Sequence, residues 1–247
     1  MRHLLQFTLT LGIALACSFP ALAQNEVQAI LEKAEKAHGG KEKLDKIKAI
    51  QTKSKGTLEV LGGLSFTDET SAFAPKLKQV MYMEIMGQKV TQTTVFDGTN
   101  GWVNVNGMNI DLDEKLMAEL KEASYLLQIG RLAGLKGKGF ELSLLGESKV
   151  NDRPAVGVKV ASKGHRDINL YFDKETGLVA KMEHRALDAM TMQEVTQERI
   201  ILEYQDTEGQ KMPKKVLVNR DGKKFMELEV TEIKFPDKID DSEFAKP

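Results

Sequence analysis

Two periodicities alternate along the chain. Val27, Ile30, Leu31 and Ala34 recur at helical spacing, with Glu26, Glu32, Lys33 and Lys36 on the other side. Asn25 stands where an N-cap would, with Gln28 three residues on as in a capping box, and Gly39-Gly40 ends the helix. His38 closes the apolar face, where a histidine complements the negative end of the helix dipole. From Ile50 the period becomes two: Ile50, Leu58 and Val60 alternate with Gln51, Lys53, Lys55, Thr57 and Glu59. Gly62-Gly63 turns the chain into a second strand running from Leu64 towards Pro75. Met81, Met83 and Ile85 share the next face, and residues 90–96, 102–105 and 108–112 continue as short strands joined by glycine turns.

A second helix interrupts this meander. From Asp113, the residues Leu116, Leu120, Ala123 and Leu127 form one stripe, with Met117 and Ser124 at its margin and Glu114, Lys115, Lys121 and Glu122 opposite. Residues 130–139 carry four glycines, which predicts a loop and a hinge. Strands resume at Phe140. Val156, Val158 and Val160 alternate with polar or small residues, as do Ile168, Leu170 and Phe172; residues 178–186, 195–204, 214–219 and 225–235 follow. In the last, Met226, Leu228 and Val230 have one parity, Ile233 and Phe235 the other, and a bulge near Thr231-Glu232 reconciles them. About eleven mostly one-sided strands predict a mainly β fold with some α: an open, strongly curved antiparallel half-barrel with helices covering its concave face.

The start of the chain has a different character. Arg2, an apolar run to Phe19 and Ala21-Leu22-Ala23 have the layout of a secretory signal, so residues 1–23 are expected to be cleaved and 24–247 to form one exported, periplasmic domain. A lipid anchor at Cys17 is the minor alternative. Without residues 1–23 the chain has no cysteine, so neither disulfides nor thiolates are available. Cleavage removes Arg2 and no acid, moving the net charge from −1 to −2, and an interspersed balance of this kind excludes a nucleic-acid footprint.

Candidate chemistry is sparse. His165 and Asp167, on alternate positions, and His184 lack any strong metal-ligand spacing, and no G-x-S-x-G, phosphate loop or calcium loop occurs. No catalytic residue, metal site or cofactor is therefore expected. In "FDGTNGWV", residues 96–103, Asp97-Gly98 and Asn100-Gly101 are turn chemistry, and Trp102 is expected to anchor the next strand by packing near a cavity rim. Methionines are spread across sheet and helix, as suits an adaptable apolar wall for a variable hydrophobic guest. Leu58, Val60, Met81, Met83, Leu116, Leu120 and Leu127 are the candidate wall residues.

Five pieces resemble, in order, the LolA-like periplasmic lipoprotein carriers and the wider lipoprotein-sorting superfamily. They are Gly56-Thr57-Leu58-Glu59-Val60, Ala74-Pro75-Lys76-Leu77-Lys78, Asp97-Gly98 with Trp102, Tyr171-Phe172-Asp173-Lys174-Glu175-Thr176-Gly177-Leu178, and Asp240-Asp241-Ser242-Glu243-Phe244 with Pro247. The resemblance implies a half-barrel with a helical lid, ferrying lipid or lipoprotein acyl chains between envelope membranes, with a membrane-bound donor or acceptor as partner. Lys78 stands where the family usually has arginine, and the two differ in hydrogen-bond geometry. An envelope-stress lipoprotein sensor or interaction module on the same scaffold, and an unrecognised hydrolase, are the alternatives.

Overall fold

The computed structural model describes residues 19–59 and 62–247, with side chains from residue 24. Most of the expected signal segment, Cys17 and Val60 lie outside the described residues; residues 19–23 begin the first helix. The helices are α1 (Phe19–Ala37), α2 (Lys41–Lys46) and α3 (Glu114–Gly130). The first six strands are β1 (Ala49–Leu58), β2 (Leu64–Phe73), β3 (Lys76–Ile85), β4 (Gln88–Phe96), β5 (Gly101–Val105) and β6 (Met108–Ile110). After α3 come β7 (Glu141–Val150), β8 (Arg153–Ala161), β9 (Ile168–Asp173), β10 (Val179–Asp188), β11 (Gln193–Thr207), β12 (Gln210–Arg220) and β13 (Lys223–Lys234).

The thirteen strands of the described residues form one open antiparallel sheet, in the order β6-β5-β4-β3-β2-β1-β13-β12-β11-β10-β9-β8-β7. The expectation of about eleven falls short by two. The first meander grows outward from β1 to the edge strand β6. The second starts at the opposite edge with β7 and returns until β13 pairs with β1. Helix α3 therefore connects the two free edges, which carries it over one face of the sheet.

Register separates the two faces. Met117, Leu120 and Leu127 of α3 pack with Ile50, Ala72, Leu77 and Phe96, so this set marks the concave, helix-covered face. Their strand neighbours Ala49, Phe73 and Val95 face the other way, with Trp102, and are covered by Ile239 and Phe244 of the C-terminal segment. Trp102 thus anchors the convex side and not the cavity rim. At the β1–β13 junction, Lys53 pairs with Glu232 but Ser54 with Val230, leaving Thr231 as the extra residue. That bulge lets Val230 and Ile233 share the concave face despite opposite parity, as the sequence pattern requires.

Three local expectations are corrected. Asn25 lies inside α1, which starts at Phe19, so it caps nothing. Ala123 is exposed, whereas Ser124, Tyr125, Leu126 and Ile129 are the buried residues of α3. The cause is that α3 is held on two sides: by the β1–β4 cluster and by a larger core joining α1 to β8, β9 and β10. The glycine-rich stretch is a loop, but Leu132 and Leu135 pin it into that larger core at 2% exposure each, which opposes a hinge there.

Candidate functional site

The concave face divides into two halves. Over β8, β9 and β10 it is filled: Val158, Val160, Ile168, Leu170 and Phe172 pack beneath Val27, Leu31 and Ala34 of α1 and Ile129 of α3. Over β1 to β4 and β13, away from α3, it is only half-covered. Leu58, Leu64, Met81, Met83 and Val90, with Met226, Leu228 and Val230, are all half-buried. Direct cross-strand pairing joins Leu58 to Leu64 and Met226, and Met83 to Phe66 and Val90. Gly56 lies in the same row because the Phe66 ring crosses it: a β-carbon there would meet Phe66 Cζ at 2.7 Å and collide with the Glu227 carbonyl.

Of the expected wall residues, Leu58, Met81 and Met83 come together on this half-covered strip. Leu120 and Leu127 sit on the same side of the sheet but close the core under α3, and Leu116 is half-buried near the helix start. The methionines divide by position. Met182 is buried, while Met81, Met83, Met117, Met212 and Met226 are half-buried. Met86, Met108, Met190 and Met192 are exposed in or beside the β3–β4, β5–β6 and β10–β11 turns, which antiparallel order places at one end of the sheet.

Polar groups interrupt the concave face at a few places. Asp68, 5% exposed and opposite Met81, accepts hydrogen bonds from Ser54 Oγ, Thr70 Oγ1 (2.9 Å) and Gln79 Nε2 (3.1 Å). Arg199 of β11 faces Met182 and Val218 across its two pairings. Burial lowers its pKa below the usual arginine value, and the charge of Asp68 opposes that shift. Arg220 on the same strand-face row behaves differently: it pairs with Asp188 at 2.6 Å, donates to Gln197 at 3.1 Å and covers the Phe225 ring. His184 is pushed down to about 4, chiefly by burial and then by Arg199 and Arg166, and its Nδ1 is buried without a partner.

A cavity of about 70 Å³ lies where α1, α2 and the end of α3 meet β10, β11 and β12. Its walls include Leu44, Ile50, Val179, Met182 and Ile201, with Arg131, His38, Tyr204 and Lys211 as the polar groups. His38 bonds through Nδ1 to the Ala34 carbonyl at 2.8 Å, and burial lowers its pKa. His38 thus closes the C-terminal end of α1, bonding back to its last turn.

The remaining candidates for chemistry are engaged structurally. His165 stacks on Tyr125 at 3.8 Å and meets Glu122 at 3.1 Å, which turns Glu122 inward instead of to solvent. Asp167 pairs separately with Lys159. Among the described residues, no group of His, Cys, Asp and Glu gathers in metal-binding geometry. Asp97 accepts from the Thr99 and Asn100 amides at 2.8 and 2.7 Å, with Gly98 at φ 101°, so "FDGTNGWV" is a turn whose bonds to Asn100 and Thr99 lower the carboxyl pKa. The sequence missed Arg131, Arg199 and Asp68, because isolated charged residues carry no spacing signal; the fold brings Asp68 within range of Arg199 and places Arg131 separately, in the cavity at the end of α3.

No protein-family model matches the chain, and no curated protein matches it either. Solved structures do. A LolA superfamily protein from Nitrosomonas europaea superposes with a TM-score of 0.56 at 13% identity, covering 89% of this chain and 97% of that one. A DUF1329 family protein from Desulfovibrio piger superposes with a TM-score of 0.52 at 14% identity, again covering 89% and 97%. At such identities the likeness extends to architecture: the half-barrel and its covering helices give this chain the fold of the LolA superfamily.

Proposed function

We propose that this is an exported, non-enzymatic binding protein that carries acylated cargo, a lipid or lipoprotein, between envelope membranes in the periplasm. The observation that carries the reading is the unequal cover of the concave face. Leu58, Met81, Met83, Met226 and Leu228, linked through Leu64, Gly56 and Phe66, form an apolar strip left half-buried in a fold that packs its other half beneath α1 and α3. An apolar strip of this kind is a surface for which burial is still favourable. At about 0.8 kcal/mol per methylene, a long acyl chain laid on it gains on the order of 10 kcal/mol gross, before ordering costs.

The 70 Å³ cavity is far below the roughly 300–1,000 Å³ of typical ligand sites, so a chain enters only if a helix moves. The first part of α3 lies outside that cavity and covers apolar surface of β3 and β4 instead. Met117 and Leu120 are half-buried against Phe96 and Leu77, whereas Tyr125, Leu126 and Ile129 hold the second part in the main core. Lifting Met117 and Leu120 would uncover Leu77 and Phe96 and extend the strip. No helix among the described residues is long and apolar enough to cross a membrane, so exchange with a bilayer would require contact at its surface.

Native mass spectrometry of protein recovered from the periplasm, followed by lipid extraction, tests the reading. Bound lipid, or uptake of a fluorescent fatty acid by the delipidated protein, is expected; an empty protein that takes up no fatty acid contradicts it. Transfer of the bound lipid to acceptor vesicles then separates a carrier from a sensor, which would bind without delivering.

A further inference from the structure

We propose that the cavity between α1, α2 and β10–β12 is the head-group subsite for the acyl ligand, taking a carboxylate or phosphate against Arg131. The proposal rests on the acyl-binding reading above and adds where the polar end of the ligand goes. Four of the cavity's polar neighbours are basic or hydroxylic, and no carboxylate lines it. Three of those four are already engaged. His38 Nδ1 is committed to the Ala34 carbonyl, Tyr204 donates to the Val179 carbonyl at 2.7 Å, and Lys211 reaches Asp206 at 3.5 Å.

Arg131 is the exception. Its Nε is buried without a partner, and its Nη1 makes only a long bond, 3.4 Å, to the Lys48 carbonyl. A guanidinium has five donors in a planar fork suited to carboxylate and phosphate oxygens. Position at the end of α3 accounts for an arginine there through the helix dipole, but a dipole partner does not require a buried, empty Nε. An anion of head-group size would fill the space and supply the missing acceptors.

The cavity also leads in the right direction. Ile50, one of its walls, is an early concave residue of β1, and the same strand face runs on through Thr52, Ser54 and Gly56 to Leu58. Eight residues of strand span about 26 Å. A ligand headed at Arg131 would therefore run its chain along β1, past Thr52 and the buried Ser54–Asp68 pair, before reaching the half-buried strip.

The test titrates cis-parinaric acid and its methyl ester into wild-type protein, Arg131→Gln and Arg131→Lys, with folding checked by thermal melts. Wild type should bind the acid about tenfold more tightly than the ester, from the loss of a charge-assisted bond. Arg131→Gln should abolish that ratio by weakening the acid alone, and Arg131→Lys should retain part of it. Displacement by lysophosphatidic acid but not by monoacylglycerol would extend the site to phosphate; failure of both would restrict it to carboxylate. Equal wild-type affinity for acid and ester, or equal losses for both in Arg131→Gln, would overturn the head-group subsite while leaving acyl binding in place. Binding of neither probe by wild type would overturn acyl binding itself and this subsite with it. Should Arg131→Gln fail to fold, the wild-type ratio and Arg131→Lys decide.

Discussion

The two halves of the concave face use the same sheet for opposite ends. Over β8 to β10, alternate residues are fully buried: Val158, Val160 and Leu170 are at 0% exposure, with α1 and the pinned 131–139 loop above them. Over β1 to β4, the corresponding positions are Leu58, Met81 and Met83, half-buried, with Asp68 and its hydroxyl and amide donors among them. A row of buried valines and leucines stores stability; a row of half-buried methionines retains free energy still to be gained from burial. One half thus acts as the anchor that lets the other stay incompletely packed.

Paired substitutions test that division most strongly. Phe172→Ala in the filled half should cost about 3–5 kcal/mol of unfolding free energy measured by denaturant titration, whereas Met83→Ala in the half-covered strip should cost about 1 kcal/mol or less. Equal costs would erase the distinction. A smaller effect is expected from His184, which pairs with the buried Ile168 on β9 in the filled half. Its folded pKa of about 4 lies below the ordinary 6.5, so the unfolded chain takes up the proton first as pH falls. The stability this neutral histidine contributes is complete above pH 6.5 and lost by about pH 4, up to about 3 kcal/mol. Denaturation of His184→Gln at pH 7 and 4.5 should show a correspondingly smaller fall than wild type; identical falls would contradict the assignment. His38, whose pKa is lowered in the same direction, remains in both proteins.

The smallest effect is predicted for Lys78, the lysine that closes the Ala74–Lys78 stretch of the sequence resemblance. Its Nζ reaches Glu243 at 2.9 Å on the convex face, away from the strip. Lys78→Ala should cost about 0.5 kcal/mol or less and leave fatty-acid uptake unchanged. Loss of uptake would bring that position back into ligand handling.

Strand parity was legible in the sequence because each strand has one apolar face, and even the bulge at Thr231 followed from the parity change between Val230 and Ile233. Turn glycines were equally readable where φ must be positive, as at Gly98. The misreadings have a common source in tertiary contact. Ala123 fits a one-sided stripe, but α3 packs on two sides, so Tyr125 and Leu126 are buried instead. Leu132 and Leu135 were hidden among glycines that suggested mobility. The polar half of the site was illegible for a further reason. Asp68 and Arg199 are far apart in sequence, and only a curved sheet lets one charge act on the other.

The central claim is that an acyl ligand occupies the strip on the concave side of β3. Tyr82 and Met83 are adjacent, yet Met83 faces the strip and Tyr82 the convex side, 44% exposed. In protein expressed from Gln24, which has no cysteine, Met83→Cys and Tyr82→Cys each accept one environment-sensitive fluorophore at a unique thiol. Titration with oleic acid should blue-shift the label at position 83 in a saturable way and leave that at position 82 unchanged. Equal shifts at both positions, or none at 83, would contradict the claim.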